Sequence, residues 1–127
     1  METLHLDTHI AIWLFSGEWS SRLKIKARKL EKYLLQVSPI VEMEMQFLYE
    51  IKRINYSGTR ILRELIDTIG LTISPAPFCD IIRQSHLESW TRDPFDRIIV
   101  ANAKLDGARL LSADRRILVN FPKAISA

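Results

Sequence analysis

Short apolar runs alternate along this chain with longer amphipathic stretches, and that pattern predicts the elements. Thr3–Leu6 reads as a short buried strand that ends at Asp7. Thr8–Phe15 predicts a helix, closed by Ser16-Gly17. A second helix is expected from about Ser20 to Lys32, with Ser20 or Ser21 able to cap it. Tyr33–Val37 is the next strand candidate. Ser38-Pro39 then starts a helix, Ser as N-cap and Pro at the first helical position, that carries on to about Ile54. Ser57 to Ile69 predicts another, stopped by Gly70, followed by a strand at Leu71–Ile73. Pro77–Leu87 looks helical, and Asp93-Pro94 opens a further helix to about Asp106, stopped by Gly107. Arg109–Leu111 is a fourth strand and Ala124–Ile125 a short fifth. Strands alternating with helices imply βαβ units and a parallel sheet covered on both faces. In such sheets, sites form in the crevice beyond the carboxyl ends of the strands.

That rule singles out acidic residues. Asp7 follows the first strand and Asp114 the fourth, while Asp96 lies in the first turn of the helix opened by Asp93-Pro94. The helix from Pro39 to Ile54 offers Glu42, Glu44 and Glu50. At helical spacing, Glu44 shares a side with Ile40, Phe47, Leu48 and Ile51 and so falls on the apolar, inward face. Glu42 aligns with Gln46, Tyr49 and Arg53, and Glu50 lies near Gln46 and Arg53; both look outward. An ionised Glu on an inward face is costly unless it is paired or bound to metal. Each acid also has a purely structural reading. Asp7 can cap the first helix, Asp114 the turn after its strand, Asp93 is well placed as an N-cap, Asp96 at N3 completes something like a capping box, and Glu44 can pair with an inward Arg or Lys. Together, acids at two strand ends and on two helices converge on one crevice. Hard oxygen donors suit Mg²⁺ or Mn²⁺ rather than zinc. Metal would relieve the mutual repulsion of four carboxylates and supply the apparatus of phosphodiester hydrolysis.

Composition narrows the class. The chain has 127 residues, 47% of them hydrophobic and 26% charged, enough for one domain spanning 1–127 with a sizeable core and too apolar for disorder. Cys79 is the single cysteine, so an internal disulfide, a C-x-x-C redox pair and a Cys-based zinc site are excluded, which fits a reducing cytoplasm. No run approaches the ~18 apolar residues of a membrane span. The start, METLHLDTHIAIWLF, lacks a basic n-region and is interrupted by Asp7 and His9, so it reads as structure rather than as a signal peptide. The formal charge is only +3. With the four acids neutralised by metal, 18 basic residues stand against 11 acidic ones, a net +7, which suits a polyanion better.

The motifs LDTHIAIW at 6–13, SPIVEMEMQFLYEI at 38–51 and DPFDRIIVANAKLDGARLLSAD at 93–114 together span nearly the whole chain. On them the sequence resembles the PIN-domain ribonucleases, in particular the VapC toxins of bacterial type II toxin–antitoxin systems. By that resemblance Asp7, Glu44, Asp96 and Asp114 match the family's four acids, and Asp93 matches a frequent acid beside the third, a further metal-ligand candidate. Where some members carry another acid just after the fourth, this chain has Arg115, Arg116 and Ile117. The resemblance implies an α/β PIN-like three-layer α/β/α sandwich around a parallel sheet of four to five short strands. It also implies Mg²⁺- or Mn²⁺-dependent RNA cleavage, neutralisation by a cognate antitoxin, and a homodimer. The competing readings are a catalytically silent RNA- or protein-binding domain and another Mg²⁺-dependent phosphohydrolase.

Several other residues carry expectations. Thr8 and Ser112 are placed to hydrogen-bond a metal-binding carboxylate, or only to cap turns. The basic residues Arg22, Lys24, Lys26, Arg28, Lys29 and Lys32 read as one helical face, solvated or gripping phosphates. Arg97 reads as a partner for a carboxylate. His5, His9 and His86 lack metal-ligand spacing and are taken as structural. Trp13, Phe15 and Trp19 form a cluster that packs in the core or faces an antitoxin or dimer groove. Trp90 either stacks on a base or packs against the loop before Asp93, and Cys79 reads as a small buried hydrophobe.

Overall fold

The computed structural model describes residues 1–127. Its elements run β1 (Glu2–Leu6), α1 (Thr8–Ser16), α2 (Trp19–Arg22), α3 (Ala27–Leu30), β2 (Tyr33–Val37), α4 (Ile40–Glu50), α5 (Gly58–Ile69), β3 (Thr72–Ile73), α6 (Phe78–Ser85), α7 (Pro94–Leu105), β4 (Arg109–Ser112), α8 (Arg115–Asn120) and β5 (Ala124–Ser126). Every strand pairing is parallel, in the order β3-β2-β1-β4-β5, and helices flank the sheet. The chain first builds outward from β1 to β2 and β3, then crosses to the other side of β1 for β4 and β5. The reversal falls between β1 and β4, where neighbouring crossovers leave in opposite directions and open a crevice at the strands' carboxyl ends. Asp7 and Asp114 flank that point.

The core explains why the strands are short and apolar. Leu4 and Leu6 of β1, Val37 of β2, and Leu110 and Leu111 of β4 are buried, joined by Ile10, Ala11, Val41, Met45, Ile61, Leu65, Ile99, Val100 and Ile117 from the helices. His5 is buried too, and its Nε2 reaches both Gln36 Oε1 at 3.1 Å and Asp106 Oδ2 at 2.8 Å. The same Asp106 oxygen accepts from Ser74 Oγ at 2.7 Å and Asn102 Nδ2 at 3.1 Å, so one carboxylate ties the sheet to the end of α7. His5 is structural, as expected. No helix is long and apolar enough to cross a membrane.

Three sequence expectations need correction. The helix expected over 20–32 is two short ones, α2 and α3, separated at 23–26. Leu23 is extended at φ −92°, ψ 129°, and Leu23 and Ile25 both pack against the core while Lys24 and Lys26 are exposed. That is a period-two pattern, which a helix cannot satisfy. The basic residues therefore do not share one helical face. The helix starting at Ser38-Pro39 ends at Glu50, four residues before Ile54. Lys52 adopts φ 64°, and Arg53 N–H donates back to Leu48 O at 2.8 Å, so a lysine fills the left-handed turn usually given to glycine. Finally, α8 was not anticipated, and Cys79 is exposed rather than buried.

Candidate active site

Three helices begin at an aspartate near the carboxyl edge of the sheet. Asp7 caps α1, its Oδ1 accepting Thr8 N–H at 2.8 Å. Asp93 caps α7 through Oδ1, which accepts Phe95 N–H at 2.9 Å and Asp96 N–H at 3.4 Å, with Pro94 at the first helical position. Asp114 caps α8, accepting Arg116 N–H at 2.8 Å. The structural readings of these three acids therefore hold, but they are not the whole account. Asp7, Asp93 and Asp114 line one cleft of about 370 Å³ together with Glu44, Asp96, His9, Trp13 and Ala113. Positive helix N-termini facing the cleft offset part of the repulsion among the acids.

Glu44 reaches the cleft from α4, and Asp96 from the first turn of α7. Glu44 is half-buried, as anticipated, but the face that buries α4 is set by Val41 and Met45, whereas Phe47 and Ile51 are exposed. Phe47 instead meets Phe95 of α7, ring centroids 6.0 Å apart, which holds α4 and α7 side by side and brings Glu44 toward Asp96. Glu42 turns toward α5, within 3.4 Å of Thr59 Oγ1.

Hydroxyls brace the acids. Ser112 Oγ donates to Asp7 Oδ2 at 2.6 Å, and Thr8 Oγ1 donates to Glu44 Oε1. Both were singled out in the sequence for this role. No ion pair in the protein includes any of the five acids; the pairs are His5–Asp106, Arg22–Glu18, Arg83–Asp80, Lys104–Glu88 and Arg109–Glu2. Arg97 Nε donates to Thr91 O instead of pairing with a carboxylate.

The titration behaviour follows from this crowding. Burial pushes the Glu44 carboxyl up to about 7; the Thr8 hydroxyl opposes the shift and the charges of Asp7 and Asp93 add to it. Burial likewise pushes Asp96 up to about 7, reinforced by Asp93, Asp7, Asp114 and Glu44. Asp7 is raised by burial, against the pull of Ser112, the Thr8 N–H and the nearby His9. A cation placed among these acids would reverse every one of these shifts.

Oxygen donors dominate the cleft, which is the donor chemistry of Mg²⁺ or Mn²⁺. No three acidic, histidine or cysteine side chains are grouped so as to hold a metal ion as they stand. Each of Asp93, Asp96 and Asp114 nevertheless keeps at least one carboxylate oxygen free of any protein partner. The residues present fit such an ion.

A family model described as PIN domain matches residues 4–123. The chain belongs to the PIN-domain family. This PIN domain is 33% identical to Ribonuclease VapC22 of Mycobacterium tuberculosis, over 92% of its own length and 91% of that protein. Its fold is also that of a toxin–antitoxin complex chain from Klebsiella pneumoniae, with a TM-score of 0.66 and 22% identity over 97% of this PIN domain and 96% of that chain. A chain of VapBC2 from Rickettsia felis, bound to a DNA fragment from their promoter, shares it as well, with a TM-score of 0.65 and 15% identity over 98% and 97% of the two chains. The parallel sheet flanked by helices is thus the expected PIN-like α/β fold, with five strands.

Of the cleft residues, His9 was expected to be structural only, and Trp13 was expected in the core or at a partner groove. His9 and Trp13 stand one helical turn apart on α1 and both line the cleft. The i, i+4 spacing of His9 and Trp13 was the available signal, because it puts both on one face of the helix that Asp7 starts. The three aromatics of this region do not form one cluster. Trp13 opens on the acids, Phe15 packs edge-on against Tyr56 at 5.2 Å, and Trp19 lines a separate apolar groove with Leu14, Leu30 and Leu34. Trp90 donates its indole N–H to Glu88 at 3.0 Å and packs against the core.

Proposed function

We propose that this PIN domain is a divalent-metal-dependent endoribonuclease toxin, held inactive by a cognate antitoxin. The observation that carries the reading is the meeting of five carboxylates from four parts of the chain in one cleft without a protein cation among them. Likeness to a named ribonuclease and to toxin–antitoxin structures supports the substrate class and the partner. Asp7, Glu44, Asp96 and Asp114 would hold Mg²⁺ or Mn²⁺, and Asp93 adds a free oxygen beside Asp96. When bound, the ion supplies an ionisable water and positive charge against the scissile phosphate. The chain's own contribution is positional. Ser112 and Thr8 fix the carboxylates of Asp7 and Glu44 so that neither rotates out of the cleft. Glu44 and Asp96, poised near 7, give up their protons readily to a cation. A second copy of the chain is a natural further partner, and the exposed stripe Met43, Phe47 and Ile51 on α4 supports a homodimer.

Purified protein should cut single-stranded segments of total RNA when Mg²⁺ or Mn²⁺ is present. EDTA or Asp96→Asn should reduce the rate by at least about 100-fold, on the scale expected for losing a metal site. Expression of the wild-type chain alone should arrest growth, and the Asp96→Asn variant should not. Protein that binds RNA and leaves it intact with either metal would support the silent binding domain. Hydrolysis of a phosphomonoester with intact RNA would support another phosphohydrolase.

A further inference from the structure

The wall of the acidic cleft is not uniform. Five of its residues are acids, and the α1 side is instead aromatic, made by His9 and Trp13. Their ring centroids lie 6.3 Å apart at 57°. Trp13 packs against the core and is half-buried, so one part of the indole is anchored while another part lines the polar cleft. The indole is also held. The Arg22 guanidinium lies 5.3 Å from the Trp13 ring centroid. Glu18 holds Arg22 through Nε at 2.7 Å, and Ser16 Oγ donates to Glu18 at 3.1 Å. A held aromatic ring beside the acids, with a cation over the ring, is what a base-stacking residue requires.

We infer that Trp13, flanked by His9 and Arg22, stacks on a nucleobase of the substrate next to the phosphate that a cation held by the acids would draw in. The inference rests on the ribonuclease reading and names a substrate-positioning residue for it. Every nucleobase has a π-face, so stacking here selects an unpaired nucleotide rather than a particular base. Arg22 adds a positive charge beside the strand as it leaves a negative cleft. The acids would hold the cation that draws the phosphate, and the α1 wall sets which nucleotide lies beside it.

The test uses a synthetic single-stranded oligoribonucleotide spanning a cut mapped with wild-type protein, and copies in which each nucleotide flanking the cut is abasic. Trp13→Leu keeps apolar bulk and loses the π-face. It should raise KM about tenfold, the scale of one lost base–aromatic stack, with kcat within about twofold. Trp13→Phe should restore most of the difference. One abasic position should raise the wild-type KM to a similar extent and add nothing further in Trp13→Leu. An unchanged KM in Trp13→Leu, or penalties that add at every abasic position, would overturn the inference, and loss of a protein partner's binding alone would assign the ring to that partner. A second measurement covers a Trp13→Leu chain that does not fold. In Asp96→Asn carrying Trp19→Phe and Trp90→Phe, Trp13 is the remaining indole, and its fluorescence should be quenched as the oligonucleotide binds. Saturation by anisotropy without quenching would also overturn the inference. If wild-type protein leaves all RNA intact with metal, the ribonuclease reading fails instead, and the quenching experiment still reports on Trp13.

Discussion

Glu44 shows how a correct residue can be reached on a partly wrong face. The sequence argument grouped it with Phe47 and Ile51 as buried, yet both are exposed. The residue is nonetheless half-buried, and its oxygen takes the Thr8 hydroxyl. Ile40 and Leu48 pack against the core, but Phe47 and Ile51 face α7 and solvent, so helical periodicity located a side of α4 without saying what packs along all of it. Glu42 points to Thr59 instead. Glu44→Gln should therefore lower RNA cleavage by at least about 100-fold while Glu42→Gln cuts within a few-fold of wild type, a comparison of initial rates with Mg²⁺ present. Ser112→Ala should weaken metal binding by about 10- to 100-fold, because Asp7 loses the contact that orients it. Calorimetric titration of Mn²⁺ would measure this; wild-type affinity in that variant would remove Ser112 from the site.

At the scale of elements, the helix starts were legible because capping chemistry is local. Asp7 and Asp93 stand at the N-caps expected of them, although α4 starts at Ile40 with Pro39 rather than Ser38 at its N-cap, and Gly17 and Gly70 end α1 and α5 in left-handed conformations at φ 81° and 69°. What escaped was the break at 23–26, set by which neighbours Leu23 and Ile25 find, and the turn at Lys52, where no glycine announces it. The contact between α4 and α5 was also invisible in one dimension. A Cβ on Gly58 would collide with the Glu42 carbonyl oxygen and crowd the Gln46 backbone N at 3.0 Å. Both obstacles are main chain, so neither swings away. Gly58→Ala should cost about 1–3 kcal/mol as the two helices are pushed apart. A denaturant midpoint equal to that of wild type would show that the helix pair yields at no cost.

The whole molecule couples the cleft to stability. Glu44 and Asp96, raised from ordinary values of 4.5 and 3.8 to about 7, bind protons in the folded state over a window where the unfolded chain has released them. The fold is thus favoured below that window and loses stability as pH rises through about 7. His5, lowered by burial, acts in the opposite sense, its share being lost as pH falls below 6.5. Metal-free protein should accordingly melt lower at pH 8 than at pH 6.5. Asp96→Asn should shrink that drop and melt above wild type at pH 8, and Mg²⁺ or Mn²⁺ should raise the wild-type melting temperature by mass action. A metal-free Asp96→Asn that melts below wild type at pH 8 would count against a repulsive carboxylate cluster. The buried network at the other end of α7 contributes separately. Asp106→Ala leaves the donors of His5, Ser74 and Asn102 short of their acceptor and should cost about 3 kcal/mol, read from urea unfolding.

The sequence alone determined the alternation of strands and helices, the parallel sheet that follows from it, and the acids at its carboxyl edge. Each of these depends on near neighbours: hydrophobic period, a cap within three residues, a strand ending in Asp. Tertiary structure decided the rest. The crossing of β4 to the far side of β1 brings Asp7 and Asp114 to one opening, and the Phe47–Phe95 contact carries Glu44 to Asp96. Whether Trp13 joined the core or the cleft, and whether Cys79 was inside or out, depended on which distant surfaces α1 and α6 meet. A hydrophobic pattern says that a face must be covered, but not by what. That choice is made by packing between residues far apart in the chain, and it turned separate capping aspartates into one site.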